Sequence, residues 1–132
     1  MMLIVAKNSN TNLIVTLTEK VTLGTPYYLF AFTSDVSGLT KYFTATDISI
    51  HTERYNEFLI TETSGTEILT SGTITLNPTG QWTYRIYEQT SSTNLDPNLT
   101  TSLLEIGIVK VTGTSATYYT NNGLDNTFYI NE

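Results

Sequence analysis

The residue types that can bind metals or transfer protons decide first what chemistry this chain could perform. The sequence has one histidine, His51, and no cysteine. A Ser-His-Asp triad or a histidine-based zinc site would have to use His51, and no second imidazole or thiolate exists to share a transition metal. We therefore interpret His51 as an exposed loop side chain, and we predict no catalytic, cofactor-binding or transition-metal site around it.

Carboxylates could act in pairs, as in glycoside hydrolases, where two acidic side chains flank the scissile bond. The candidates on predicted strands and loops are Glu53, Glu57, Glu62, Glu88 and Glu105. Their spacing selects no pair. We expect these carboxylates to face solvent and the protein to have no enzymatic activity.

Two segments rich in Asn and Asp offer oxygen ligands of the kind that Ca²⁺ accepts. They are Asp96 with Asn94 and Asn98, and Asp125 with Asn122 and Asn126. The same side chains stabilise turns without any metal, because they accept hydrogen bonds from nearby backbone N–H groups. We favour turns, and we expect neither a metal nor another cofactor.

The charge distribution excludes two classes of partner. The formal net charge is −6 over 132 residues, from 12 acidic residues against six cations. The cations are scattered singly: Lys7, Lys20, Lys41, Arg54, Arg85 and Lys110. Because a polyanion is bound by several cations on one face, we predict that neither nucleic acid nor an anionic membrane is a partner. The apolar run at residues 1–6 is too short for a signal peptide or a membrane helix, so we expect a chain that is used without processing.

The residues from Asn77 to Gln89 give the clearest strand pattern, and the other elements are placed around them. Trp82, Tyr84 and Ile86 alternate with polar residues, so one face of this strand can be buried. The preceding Pro-Thr-Gly is typical of a turn. In immunoglobulin-like sandwiches, an aromatic residue that follows such a turn pins the loop back onto the sheet.

Alternating apolar residues predict several more strands. They lie at residues 3–7, 13–21, 27–33, 40–45, 57–63, 68–76 and 103–111. Residues 27–33 are apolar on both faces, which indicates a central strand. We expect residues 46–55 to cross between sheets, Gly72 to interrupt a strand and Gly107 to mark a bulge. The pattern predicts an all-β protein, an immunoglobulin-like antiparallel β-sandwich of eight to ten short strands, in one domain of residues 1–132.

Residues 114–132 are predicted to form a C-terminal β-hairpin beyond a sandwich core of residues 1–113. Most of their apolar surface comes from Tyr118, Tyr119, Phe128, Tyr129 and Ile130. An isolated hairpin cannot bury this much aromatic surface, so it must pack on its own sandwich or on a neighbouring subunit. We favour the neighbouring subunit, because the strand at 103–111 already completes the sandwich, and we assign these five residues to partner binding.

Exposed aromatic residues also allow carbohydrate binding. Tyr27, Tyr87 and Tyr118 could stack on sugar rings if they lay together on one face of the molecule. Tyrosine on the solvent face of a strand is equally a matter of ordinary β-propensity. Both interpretations stay open at this point.

Four segments, taken in order, resemble a known family. They are Tyr27-Tyr28-Leu29-Phe30-Ala31-Phe32-Thr33, then Asp47-Ile48-Ser49 with Glu53-Arg54-Tyr55-Asn56-Glu57-Phe58, then Gly80-Gln81-Trp82-Thr83-Tyr84-Arg85-Ile86-Tyr87-Glu88, and finally Leu104-Glu105-Ile106-Gly107-Ile108-Val109-Lys110-Val111. Over about residues 13–113 the chain is similar to small β-sandwich structural proteins of tailed bacteriophages, including crAss-like phages. Trp82 stands where we expect Tyr or Phe in that family.

The resemblance implies a virion protein without enzymatic activity. The expected role is an auxiliary or decoration protein of the capsid, made in the host cytoplasm and located on the capsid surface. Its implied partners are the major capsid protein or other head and tail components, and copies of itself in the particle. The alternative is a receptor- or glycan-binding module associated with a tail or fibre.

Overall fold

Eight strands and two short 3-10 turns make up the part of the chain that the structure, a computed structural model, describes, namely residues 2–51 and 53–113. The strands are β1 (Met2–Ala6), β2 (Asn10–Val15), β3 (Tyr27–Ser34), β4 (Thr40–Thr44), β5 (Asn56–Glu62), β6 (Thr73–Ile74), β7 (Gly80–Gln89) and β8 (Ser102–Thr112). The 3-10 turns are Thr18–Lys20 and Pro97–Leu99. Between residues 2 and 113 the fold is all-β, as predicted.

The strands form two sheets that enclose one core. The larger sheet has the order β1-β8-β7-β3-β4, and the smaller has the order β2-β5-β6. Side chains from both sheets join a single buried cluster, including Phe30 and Trp82 from the larger sheet and Phe58 from the smaller. The arrangement is therefore sandwich-like.

Both sheets are mixed, which corrects the prediction of an antiparallel sandwich. β1 lies parallel to β8, with Met2 opposite Ile108 and Ala6 opposite Thr112. β5 lies parallel to the short β6. The alternation of apolar residues defines the face of a strand but not its direction, so the sequence pattern could not distinguish these pairings.

Aromatic rings fill the space between the sheets. Phe30 stacks on Phe43 with ring centroids 5.0 Å apart, and it meets Phe58 edge to face at 4.9 Å. Phe30 and Phe43 lie opposite each other on the paired strands β3 and β4, whereas Phe58 comes from β5 in the other sheet. The Phe30–Phe58 contact therefore joins the two sheets, whereas the Phe30–Phe43 contact lies within the larger one. Offset or edge-to-face aromatic pairs contribute about 0.5–1.5 kcal/mol each beyond their buried area.

The start of β7 confirms the predicted turn. Gly80 adopts a φ of 122°, which favours glycine, and the Trp82 indole N–H donates a hydrogen bond of 2.9 Å to the Pro78 carbonyl oxygen. Trp82 itself is fully buried. An aromatic residue on this strand does pin the preceding loop back onto the sheet.

The register of β8 shows which residues of the strand predicted at 103–111 face the core, and it corrects the position of the bulge. Val109 and Val111 face the core, while Ile106 and Ile108 face outward. The register shifts where Ile86 pairs with Glu105 and the next residue pairs with Leu103, so Leu104 is the extra residue. Gly107 is not the bulge. It pairs with Tyr84, whose ring occupies the place of a side chain.

The strand predicted at residues 13–21 is observed as β2, Asn10–Val15, so it begins and ends earlier than expected. It ends at Val15 because the side chain of Asn56 on β5 binds the backbone that follows. The Asn56 Oδ1 accepts hydrogen bonds from the backbone N–H groups of Leu17 and Thr18, at 2.7 and 3.3 Å. These bonds replace the ladder of a continuing strand. The chain turns instead through the 3-10 turn at Thr18–Lys20.

The remaining connections agree with the sequence predictions. Residues between β4 and β5 cross from the larger sheet to the smaller, as expected for 46–55. Gly72 has a φ of 76° and lies in a turn that breaks the pattern at 68–76 and leaves only the two-residue β6. The predicted hairpin at 114–132 lies outside the described residues.

Candidate functional site

Two of the acidic residues considered for catalysis are buried and bind the protein's own backbone. The side chain of Glu62, at the end of β5, is fully buried. It accepts hydrogen bonds from Lys7 Nζ at 2.7 Å, from the Asn8 N–H at 2.8 Å and from the Leu76 N–H at 2.9 Å. Glu62 thus links the end of β5 to the residues that follow β1 and β6.

Both members of the Glu62–Lys7 ion pair make further hydrogen bonds. Lys7 Nζ also donates to the Leu76 carbonyl oxygen at 3.0 Å and to Asn77 Oδ1 at 2.6 Å. Burial alone would raise the pKa of the Glu62 carboxyl, but the hydrogen bonds from Lys7, Asn8 and Leu76 and the charge of Lys7 together hold that pKa below its usual value. Glu62 is therefore ionised at neutral pH and cannot act as a general acid.

Glu88 performs the same task at the end of β7. It is fully buried, and its two carboxylate oxygens accept hydrogen bonds from the backbone N–H groups of Thr22 and Leu23 and from the hydroxyls of Thr22 and Ser102, at 2.7–3.1 Å. Burial would raise its pKa, yet these hydrogen bonds outweigh it and lower the pKa. Glu88 holds the loop at residues 21–26 against the sheet.

The alternation of residues in β5 and β7 indicates that Glu62 and Glu88 are buried. Glu88 continues the inward series Trp82, Tyr84 and Ile86 of β7, and Glu62 continues the inward series Phe58 and Ile60 of β5. A carboxylate in phase with a buried face is expected to be paired, because an unpaired buried charge is very costly. Our expectation that all these carboxylates face solvent was wrong for Glu62 and Glu88.

A cleft of about 310 Å³ opens next to the loop that Glu88 holds. Val21, Leu23 and Pro26 give it an apolar wall, and Tyr28, Asp47 and Asn56 give it polar groups. Asp47 accepts hydrogen bonds from the N–H groups of Ser49 and Glu57 and from Asn56 Nδ2, at 2.6–3.1 Å. The acidic and amide groups of the cleft are thus used to fix the crossing between the sheets.

The Tyr28 hydroxyl is a polar group of the cleft that does not hold elements of the fold together. It makes no hydrogen bond with any described residue, and Tyr28, which lines the cleft, is 6% exposed. Burial, and then the charges of Asp47 and Glu88, raise the pKa of Tyr28 to about 12. The hydroxyl is therefore neutral at physiological pH, so it can donate a hydrogen bond but is a poor nucleophile.

A third polar cluster consists of Tyr84, Glu105 and Lys20. The Tyr84 hydroxyl donates to Glu105 Oε2, and Glu105 Oε1 accepts from Lys20 Nζ at 3.1 Å. Burial and the neighbouring Glu105 carboxylate raise the pKa of Tyr84 well above its ordinary value. The cluster links β7, β8 and the 3-10 turn at Thr18–Lys20.

The structure places the other candidate residues as surface or turn groups. His51 is exposed and meets the ring of Tyr55 at 6.3 Å, which agrees with the loop interpretation. Asp96 Oδ1 accepts from the Asn98 N–H at 2.9 Å, so it begins a turn as predicted. Within residues 2–51 and 53–113, no group of three or more His, Cys, Asp or Glu side chains could hold a metal ion. Asp125 with Asn122 and Asn126 lies outside these ranges.

Tyr27 and Tyr87 share one surface. Tyr87 lies opposite Leu29 on β3, so it is a diagonal neighbour of Tyr27, and both point away from the core. The register places Arg85 two residues from Tyr87 on the same face, opposite Ala31. Two of the three aromatic residues considered for sugar binding are therefore neighbours, whereas Tyr118 and the predicted partner-binding residues are not among the described ones.

No helix in the described part of the chain is long and apolar enough to cross a membrane. No family model, curated protein or solved structure matches the chain.

Proposed function

We propose that the protein is a non-enzymatic structural protein of a tailed-bacteriophage virion, an auxiliary or decoration protein on the capsid surface. The observation that carries the proposal is the use of its buried polar groups. Glu62, Glu88 and Asn56 bind the backbone and side chains of the protein itself, so their chemistry stabilises the fold. Such an interior suits a protein that contributes a rigid body and a contact surface.

The resemblance to phage structural proteins supports the same role through the framework strands. Three of the segments that carry it coincide with β3, β7 and β8, which lie side by side in the larger sheet. The fourth reaches into β5 of the smaller sheet. The similar residues are thus those that build the sandwich.

An immunoglobulin-like topology belongs to the proposal as well. In this proposal, the neighbouring strands β8-β7-β3-β4 take the places of G, F, C and C′ of a variable-type domain, and the antiparallel β2–β5 pair takes the places of B and E. Two features depart from that pattern. β6 follows β5 in the chain and pairs with it in parallel, and Trp82 lies on the strand in the F position instead of C.

Exposed apolar side chains offer contact surfaces for other virion proteins. On the smaller sheet, Ile14 and Leu59 point outward from β2 and β5 and are 44% and 42% exposed. A standard protein interface takes about 800 Å² from each partner, and the described chain exposes 6667 Å². The surface therefore has room for several contacts, with the major capsid protein, other head and tail components and copies of this chain.

Purified particles of the phage that encodes the chain provide the direct test. We expect the chain to appear in denaturing gels and mass spectra of washed particles, in a constant ratio to the major capsid protein. Its absence from the particles would overturn the proposal.

A receptor- or glycan-binding module of a tail or fibre is the second candidate, and the shared surface of Tyr27 and Tyr87 favours it. Sugar rings stack on aromatic side chains that lie together with polar groups between them. Glycan-array binding that is lost in Tyr87→Ala and kept in Tyr55→Ala would support this function. No binding to any glycan by the folded protein would remove it.

A further inference from the structure

An apolar patch lies on the outer face of the larger sheet, where β1 and β8 run side by side. We define the outer apolar patch as Met2, Ile4, Ile106 and Ile108, which point away from the core and are 40–59% exposed. Met2 lies directly opposite Ile108 in the parallel pair, and Ile106 is on the same face of β8. The patch is continuous across the two strands, and contiguous exposed apolar surface of this kind marks a contact site.

β1 is also an edge strand. In the order β1-β8-β7-β3-β4 it has one hydrogen-bonded neighbour, so its other side has no strand neighbour among the described residues. Edge strands in stable proteins are normally protected by charge, by a bulge or by another segment. The outward side chains of β1, Met2 and Ile4, supply no charge. Another segment is therefore the expected protection.

The chain beyond the described residues starts beside this patch. β8 ends at Thr112, opposite Ala6 at the end of β1, and Gly113 is the last described residue. β1 spans five residues, and an extended chain advances about 3.3 Å per residue. Residues 114–132 are long enough to turn and run back along the whole patch.

The composition of that segment suits the patch. It contains Tyr118, Tyr119, Phe128, Tyr129 and Ile130, and its charged residues are Asp125 and Glu132, with no Lys or Arg. The patch is bordered by two cations, Arg85 opposite Ile106 and Lys110 opposite Ile4. Neither makes an ion pair with a described residue. Acidic and aromatic groups can both interact with such cations.

We propose that residues 114–132 cover the outer apolar patch of their own chain. The tether favours the same chain over a second copy, because a short linker gives a local concentration of about millimolar order. The sequence interpretation preferred a neighbouring subunit on the ground that the strand at 103–111 completes the sandwich. The outward isoleucines of β8 give the segment a surface within its own chain. The proposal is independent of a role in the virion.

Photocrosslinking of the full chain tests the proposal. A photoreactive phenylalanine analogue in place of Ile106 should crosslink to residues 114–132 within a single chain, in a band of monomer mass. The matched control is the same analogue in place of Ile14, which is similarly exposed on the outer face of the smaller sheet. It should give no such crosslink. Crosslinks that join two chains, or no crosslink from position 106 to this segment, would overturn the proposal.

A double-mutant cycle gives a second, independent measurement. We expect Ile108→Asn to shift the urea midpoint of the full chain, and to shift it much less when Tyr118, Tyr119, Phe128 and Tyr129 are all replaced by Ser. Ile14→Asn should shift the midpoint equally in both backgrounds. Equal shifts for Ile108→Asn in both backgrounds would contradict the proposal. If a variant does not fold, the crosslinking result decides.

Discussion

Gly107 on β8 lies directly beneath the ring of Tyr84 on β7. A Cβ atom at position 107 would stand 2.5 Å from Cε2 of that ring. Tyr84 is fully buried, and its hydroxyl reaches across Gly107 to Glu105 on the same strand. The missing side chain at 107 is therefore what allows the ring to span the two strands.

Gly107→Ala should destabilise the protein by about 1–3 kcal/mol, because the added methyl group would force the fully buried Tyr84 ring out of its place. Gly24→Ala is the matched control, since no atom lies within 4 Å of the Cβ position there. Urea unfolding of both variants checks the prediction. A Gly107→Ala protein as stable as the wild type would show that the Tyr84 ring is not held in this place.

Glu62→Gln should cost about 2–4 kcal/mol of unfolding free energy. The substitution removes the charge that faces Lys7, whose side chain is only 13% exposed. It also replaces a carboxylate oxygen, which accepts hydrogen bonds, with an N–H₂ group that faces other donors. Glu19→Gln, at an exposed position in the 3-10 turn, should change stability by less than about 0.5 kcal/mol. Equal stability of the two variants by urea unfolding would refute the anchoring role of Glu62.

Acid should unfold the protein through its hydrogen-bonded carboxylates. The pKa values of Glu62 and Glu88 are held below the usual 4.5. So is that of Glu67, which pairs with Lys41 at 2.6 Å and accepts a hydrogen bond from the Thr75 N–H at 2.9 Å. A lowered pKa in the folded state stabilises the protein above pH 4.5, and this contribution is lost as the pH falls through the folded-state values. The urea midpoint should thus be constant near neutral pH and fall below pH 4.5, less steeply in Glu62→Gln. A midpoint independent of pH down to 3 would contradict this.

In an alkaline titration, the Tyr28 hydroxyl should lose its proton at a higher pH than an ordinary tyrosine. Its pKa is raised to about 12, first by burial and then by Asp47 and Glu88. A raised pKa in the folded state contributes stability that is fully present below pH 10 and is lost as the pH rises through about 12. The pKa of Tyr84 is also raised, by burial and by Glu105, so phenolate absorbance above pH 10 should fall by one tyrosine in Tyr28→Phe and the contribution of Tyr84 should stay. In urea, all tyrosines should titrate near 10. An identical curve for the variant would disprove the assignment.

The sequence predicted the elements whose alternation is set by burial. β3, with apolar residues on both faces, and β7, with Trp82, Tyr84 and Ile86 inward, lie next to each other in the larger sheet as expected for central strands. The all-β class and the turn at Gly80 followed from the same local patterns. These features depend on residues close together in the chain, which is why the sequence could reveal them.

Other features depend on contacts between distant residues and could not be predicted locally. Asn56 ends β2 by binding Leu17 and Thr18 from 38 or more positions away, and Glu88 holds Thr22 from 66 positions away. The parallel pairing of β1 with β8 joins the two ends of the described chain. The cleft at Tyr28 is lined in part by Val21, Leu23 and Pro26 of the loop that Glu88 holds.

A density map of the intact phage particle tests the proposed function most directly. The account predicts additional density on the outside of the capsid shell, into which the two-sheet body of residues 2–113 fits, at positions that follow the symmetry of the shell. Density for this body at the tail or fibre would support the second candidate function instead. A particle whose shell, tail and fibres contain no density that this body fits would contradict the account.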